Sequence, residues 1–259
     1  MRSRYNVNSA MVPFDDIATR LTDALKLAQP PVGVAFANSV PPGVARYTGA
    51  VPGGCRFWQE ARDRVFATVS HDHELCGIGV YTHHLEGSQS ARTDLQDALK
   101  IFGDLGYVRP EDMPFIPVLG REAKVVIYGP LSAIPVPPDV VLLFVKSDQM
   151  LILSEASQQL ENGLPPALGR PACAVIPQAF NTGRTALSLG CCGARAYLDV
   201  LTPDVALYAI PGSRLEAFTE RVSALAQANA VLACFHALRR KEVESGKRPS
   251  VKESLSAMG

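Results

Sequence analysis

Residues 137–144 read Pro-Pro-Asp-Val-Val-Leu-Leu-Phe, and residues 30–36 read Pro-Pro-Val-Gly-Val-Ala-Phe. Each opens on a proline pair, which cannot continue a helix, and passes into a short apolar run of strand length. Val140–Lys146 is β-branched and apolar and is therefore a predicted buried strand, as is the run that starts at Val32. Working outward, Cys55-Arg-Phe-Trp-Gln-Glu-Ala is matched by Cys173-Ala-Val-Ile-Pro-Gln-Ala, with alanine six residues after cysteine in both. Cys76-Gly-Ile-Gly-Val-Tyr is matched by Cys192-Gly-Ala-Arg-Ala-Tyr, with tyrosine five after cysteine in both. The two cysteines lie 21 residues apart in the first set and 19 in the second. Three matches in the same order, each at a predicted structural transition, point to an internal duplication. Two similar halves, about 29–110 and 136–212, related by a pseudo-two-fold axis would bring equivalent loops together. Cys55, Cys76, Cys173 and either Cys191 or Cys192 are then expected to face a common point.

The remaining elements follow from periodicity. Phe14, Ile17, Leu21, Leu25 and Ala28 recur at helical spacing with Asp15 and Asp16 in the first turn, which predicts a helix near 14–28. Gly53-Gly54 precedes Cys55, and a helix is expected from there to about Val65. Phe66–Ser70 reads as a short strand leading into the loop that carries Cys76. Residues 91–103 form a helix closed by glycine. Lys124–Tyr128 is a strand, 149–161 a helix, and Thr185–Leu189 a strand. Leu215, Phe218, Val222, Leu225, Ala228 and Leu232 step by three or four, giving a long helix over about 213–239. Short strands alternating with helices make the fold class α/β. One compact domain is expected over 1–240, built of the two pseudo-symmetric repeats, followed by a polar, flexible tail at 241–259.

Composition narrows the function classes. Hydrophobic residues make up 47% and charged residues 19%, enough apolar matter for a sizeable core. Twenty-five basic residues balance 25 acidic ones, and no basic stripe suggests a nucleic-acid partner. No window reaches the roughly 18 apolar residues of a membrane span, and the opening residues lack the apolar run of a signal peptide. A cytoplasmic protein is expected, free of membrane and nucleic acid. Its partners would be a small-molecule substrate or a redox protein, with a homo-oligomer possible. In a reducing compartment the six cysteines, at 55, 76, 173, 191, 192 and 234, are ligands, nucleophiles or buried thiols rather than disulfides.

Four thiolates are a familiar shell for an iron–sulfur cluster or for structural zinc. The tight C-x-x-C spacing common to both does not occur here, so the ligands would have to converge in space. The plainer reading makes Cys55 and Cys173 small buried residues at helix starts. A cysteine after Gly53-Gly54 at a helix start, however, has its thiolate favoured by the dipole, which suits a ligand or a nucleophile. Ser70-His-Asp-His-Glu-Leu-Cys76, with His83-His84 beyond it, is a second concentration of metal-binding atoms. On a strand, His71 and His73 would project to one face and could serve zinc or a substrate; the competing reading is an exposed polar loop. His236 sits on an ordinary helix and is taken as structural. In Ser188-Leu-Gly-Cys191-Cys192-Gly-Ala-Arg195, a glycine-flanked turn exposes backbone N–H groups. Such a turn can hold an anion or a cluster, and Arg195 could pair with a substrate carboxylate. No Walker, dinucleotide or G-x-S-x-G motif occurs.

These residues carry a resemblance to domain-of-unknown-function family 169, found in bacteria and archaea. It covers the chain from Pro30-Pro-Val-Gly-Val to about Pro211. It rests on Cys55 with its helix, Leu75-Cys-Gly-Ile-Gly-Val-Tyr, Cys173, and Ser-Leu-Gly-Cys-Cys-Gly-Ala-Arg. The family pattern resembles Gly-Cys-x-Gly-x-Arg, which implies Cys191 as the fourth position, whereas the internal repeat implies Cys192. The leading expectation is a cysteine-ligated [4Fe-4S] protein, with a redox or Lewis-acid role on a small substrate. The alternatives are a zinc or metal-free small-molecule-binding module and a cysteine-nucleophile enzyme.

Overall fold

A computed structural model of the protein describes residues 14–49, 51–85, 89–191 and 193–256. In chain order the elements are α1 (Phe14–Leu25), β1 (Val32–Ala37), α2 (Arg56–Glu60), β2 (Phe66–Thr68), α3 (Gly77–Thr82) and α4 (Gln89–Asp104). Then come β3 (Val125–Pro130), β4 (Val140–Val145), α5 (Ser147–Leu160), β5 (Ala167–Leu168) and α6 (Val175–Thr182). The chain closes with β6 (Ala186–Ser188), β7 (Ala206–Pro211), α7 (Leu215–Glu244) and α8 (Val251–Ser256).

The strand read from Val140 is buried along its whole length because both faces of the sheet are covered. Val140, Leu142 and Phe144 enter one apolar cluster, and Val141, Leu143 and Val145 enter the other. This is the period-2 alternation of a strand with two buried faces. Seven strands run in the order β2-β3-β1-β4-β7-β6-β5. Every neighbouring pair is antiparallel except β5 and β6. The strand after the first proline pair lies beside the strand after the second, with Val32 opposite Leu142 and Val34 opposite Val140.

One face is closed by α1, α5 and α7, with α1 and α5 both packed on α7. Ile17, Leu21 and Leu25 of α1 are buried as their spacing predicts. This layer also holds a satisfied polar group, in which the Tyr208 hydroxyl meets Ser157 and donates to the Leu153 carbonyl at 3.2 Å. The other face carries α2, α3 and α6, with α2 on β3 and α6 on β7. Gly212 is forced by close approach where β7 ends, since a Cβ there would meet the Pro138 carbonyl oxygen at 1.8 Å.

Several boundaries differ from expectation. Helix α1 stops at Leu25, where Lys26 turns left-handed at φ 52°. The helix after Cys55 ends at Glu60, well short of Val65. Strand β3 lies beyond residue 110, where the first half is expected to end, and pairs with both β1 and β2. The polar tail does not simply fray: α7 continues to Glu244 and α8 folds back on it, with Ser254 buried and donating to Glu242 at 3.1 Å. Among the described residues no helix is long and apolar enough to cross a membrane.

Candidate functional site

The helices α2, α3 and α6 are short, and each starts beside a cysteine. Cys55 is the residue before α2, and its carbonyl accepts the Trp58 N–H at 3.2 Å. The next two side chains, Phe57 and Trp58, are fully buried, and Phe57 stacks on Tyr128 of β3 at 5.6 Å between centroids. That anchors the start of α2, and with it Cys55, above the sheet. Cys76 is the residue before α3, and its carbonyl accepts the Val80 N–H at 3.0 Å. Cys173 sits in a 3-10 turn at Ala172–Ala174 that runs straight into α6. Cys191 follows β6 across Gly190, whose φ of 95° makes the turn, and its carbonyl accepts the Arg195 N–H at 3.0 Å.

Cys55, Cys76, Cys173 and Cys191 all line one cavity of about 770 Å³. Cys55 and Cys173 are buried, and Cys76 and Cys191 are partly exposed. Burial pushes the Cys55 thiol well above its ordinary range, and the charges of Cys173, Cys76 and Cys191 push it further the same way. Burial raises Cys173 too, with Cys76 and Cys191 adding to it and the Thr82 hydroxyl opposing. Burial also raises Cys76, although the backbone N–H groups of Gly54 and Gly79 point at its sulfur and favour the thiolate. Two members of this group come from each half of the chain. Cys192 lies outside the described residues. Cys234 is exposed on α7, on the other side of the sheet.

The histidine segment behaves differently from either expectation. Residues 70–73 are a 3-10 helix rather than a strand, so His71 and His73 do not share a face. The His71 side chain is 78% exposed and pairs with Glu74, whereas His73 is buried. The segment is not the exposed loop of the alternative reading, because His73 and His83 are both inside the protein. His73 Nε2 meets the Thr68 hydroxyl at 2.9 Å, and its Nδ1 has no partner. Gly54 and Gly79 leave room for it: a Cβ on Gly54 would lie 3.2 Å from that nitrogen and 3.6 Å from Cys76 Sγ. His83 Nδ1 donates to the Gly79 carbonyl at 2.8 Å, while Nε2 is unpartnered. Burial holds both rings neutral, with His83 lowered to about 4. His84 bonds the Leu119 carbonyl through Nδ1 at 3.0 Å, and His236 meets the ring of Phe235.

Arg195 does not reach into the cavity as a free guanidinium. It donates to the carbonyls of Leu189, Leu201, Thr202 and Val205, with Nε–Leu189 O at 2.8 Å and Nη2–Val205 O at 2.9 Å. A planar fork with its donors spent on carbonyls ties the π-helical turn Gly193–Tyr197 to the chain entering β7. It therefore fixes the loop that carries Cys191.

Three features escape a reading of the sequence. Tyr128 is fully buried with an unpartnered hydroxyl, and its titration responds to Cys55, Cys76 and Cys173 after burial itself. Its alternation with Val126 places it on the cysteine face, but nothing in a strand sequence says what lies above that face. Thr82 reaches Cys173 from the other half of the chain. The outer wall of the cavity comes from α4 and from residues 107–117. Among the described residues no group of three or more His, Cys, Asp and Glu is arranged to hold a metal ion.

The family model described as "Uncharacterised ArCR, COG2043", domain of unknown function 169, matches residues 20–221. No curated protein matches the chain, and no solved structure does.

Proposed function

The chain belongs to domain-of-unknown-function family 169, and from its cysteine-lined cavity we propose that it is a cysteine-ligated iron–sulfur protein acting on a small substrate. The observation that carries the reading is that Cys55, Cys76, Cys173 and Cys191 all line one cavity; among the described residues no three of them are arranged to hold a metal ion as they stand, so the sulfurs would have to draw together on a cluster. Cys55, Cys76 and Cys173, whose thiols are raised by burial, are poor nucleophiles at neutral pH, because the nucleophile is the thiolate. A cation among them reverses that balance, since a coordinated thiol is deprotonated. The same donors weigh against a cysteine-nucleophile enzyme and in favour of a metal-bearing site.

Soft thiolates with no carboxylate among them suit a [4Fe-4S] cluster, which supplies electron transfer or, where one iron is open, a Lewis acid. The protein's own groups would then do the remaining work. Cys55 and Cys76 would hold from one half, and Cys173 and Cys191 from the other. The backbone of Gly54 and Gly79 favours the Cys76 thiolate, the kind of influence that tunes a reduction potential. Arg195 holds the Cys191 loop in place. Cytoplasmic residence, a small-molecule or redox-protein partner and freedom from nucleic acid accompany this reading.

The two halves are read as structural repeats. β1 and β4 are adjacent at the centre; β3 and β7 flank them; β2 and β6 lie beyond, each pairing antiparallel to its inner neighbour. Mirrored order is what a duplication closed by a pseudo-two-fold axis produces. On this reading the first repeat extends to Pro130.

Anaerobic purification followed by iron, sulfide and zinc analysis tests the function. A brown protein with broad visible absorbance, lost in Cys55→Ser and Cys173→Ser variants, is the expected result. A colourless protein free of iron overturns it, and stoichiometric zinc in that sample would identify the zinc-bearing alternative.

A further inference from the structure

The part of the cavity lining that α4 supplies is unusual in being apolar and incompletely buried. Leu95, Ala98, Leu99 and Phe102 of α4 fall at positions i, i+3, i+4 and i+7, the spacing of one helix face. Such a face normally closes against a core, yet all four side chains are only half-buried and line the cavity. At the mouth, Leu75, Phe115, Leu168 and Tyr197 are exposed by 61%, 82%, 70% and 68%. A space of about 770 Å³ lies within the usual range for small-molecule sites, roughly 300–1,000 Å³. Apolar surface of this kind is completed by an apolar occupant.

Charge at the same mouth is unevenly paired. Arg109 and Asp112 pair with each other, Nη2 to Oδ1 at 2.6 Å. Arg170, three residues before Cys173, lies over the Tyr107 ring at 5.0 Å and spends one N–H on the Tyr107 carbonyl at 2.6 Å. Among the described residues no carboxylate lies within ion-pair distance of Arg170, although its charge is felt at Asp112. Glu111 also reaches Arg109, Nε to Oε1 at 3.8 Å, so the charges cancel in sum, and Arg170 is the lining cation that no carboxylate pairs with directly among the described residues.

We propose that the cavity binds a predominantly apolar organic carboxylate, its body against the α4 face and its head group on Arg170. The proposal rests on the same site as the iron–sulfur reading and names its substrate class.

Fluorescence of 8-anilinonaphthalene-1-sulfonate, an apolar aromatic anion, reads occupancy of the cavity without any activity assay. Octanoate should displace the probe at least about tenfold more effectively than octanol, a difference of about 1.4 kcal/mol, and acetate should not displace it. Arg170→Gln, an exposed position, should bring octanoate down to the level of octanol. Ala98→Trp should fill the cavity and reduce probe binding in both metal-loaded and metal-free protein. Equal displacement by octanoate and octanol in the unaltered protein overturns the anionic head group. Probe binding indifferent to Ala98→Trp overturns the cavity as its site. Carboxylate selectivity in protein that proves free of iron would sustain this proposal while the iron–sulfur reading fails. The converse pattern separates the two in the other direction.

Discussion

Gly79 shows how closely the cysteine floor is fitted. A Cβ built at this position would stand 2.8 Å from Cys76 Sγ, closer than real side chains approach. Glycine is needed here for that approach rather than for an unusual backbone angle. Gly79→Ala should therefore displace Cys76 and cost about 1–3 kcal/mol, as overpacking does. Gly103 in α4 is the matched control, because a Cβ there meets only the Val108 carbonyl at 3.6 Å, an ordinary contact. Gly103→Ala should leave stability unchanged or raise it slightly, by up to about 1 kcal/mol. Denaturant midpoints for the two variants check the contrast, and equal midpoints would show that the floor is loose. At this scale the cysteine positions are legible in the chain, since Cys55 and Cys173 stand at helix starts as their patterns suggest. The roles of Arg195 and of the two inner histidines are not. An arginine's five donors bind whichever carbonyls the fold brings within reach, and those of Leu201, Thr202 and Val205 arrive only when the chain turns toward β7.

Among the elements, β4 bears the greatest structural load because it joins the two sets of strands and packs on both sides. Leu143 is fully buried in the cluster opposite the cysteines, among side chains from α1, α5 and α7. Leu143→Ala should cost about 2–5 kcal/mol through lost burial and the cavity left behind. Since Leu143 faces away from the cysteines, the content of any bound metal per folded molecule should be unchanged. Chemical denaturation combined with metal analysis separates these effects, and loss of metal from folded Leu143→Ala protein would contradict the separation of the two faces. Element types were largely readable, because period 2 and period 3.6 are local properties of the sequence. Boundaries were less so: α2 stops five residues earlier than its expected end at Val65, where its chain must descend into β2. The 70–73 segment, read as the start of a polar loop with a strand as its metal-binding alternative, coils into a 3-10 turn, with the Asp72 carboxylate accepting the Val69 N–H at 2.7 Å. A local side-chain bond to the backbone gives the loop its turn.

For the whole molecule, the two inner histidines set a stability gradient with pH. Burial lowers His83 to about 4, and burial with the neighbouring His83 charge lowers His73. An unfolded histidine titrates near 6.5, so between about pH 6.5 and 4 the unfolded state binds more protons than the folded state. Stability is then fully present above pH 6.5 and declines as pH falls through that window. The His83 contribution amounts to about 3 kcal/mol on this shift. Denaturant unfolding at pH 7.5 and 4.5 should show the decline, and His83→Asn should reduce it while leaving the His73 share. An identical decline in both proteins would refute the assignment.

The sequence by itself determined the α/β class, the principal strands and helices, and the family with its cysteine set. Proline pairs, apolar periodicity and cysteine spacing are all local, so they survive without coordinates. Only the tertiary structure decided that Cys55, Cys76, Cys173 and Cys191 share one cavity, that α4 lines it too, and that Arg195 is spent on carbonyls. Each of these depends on residues far apart in the chain being brought together by strand order, and the antiparallel junction of β1 with β4 is what brings the two cysteine-bearing segments to one face of the sheet.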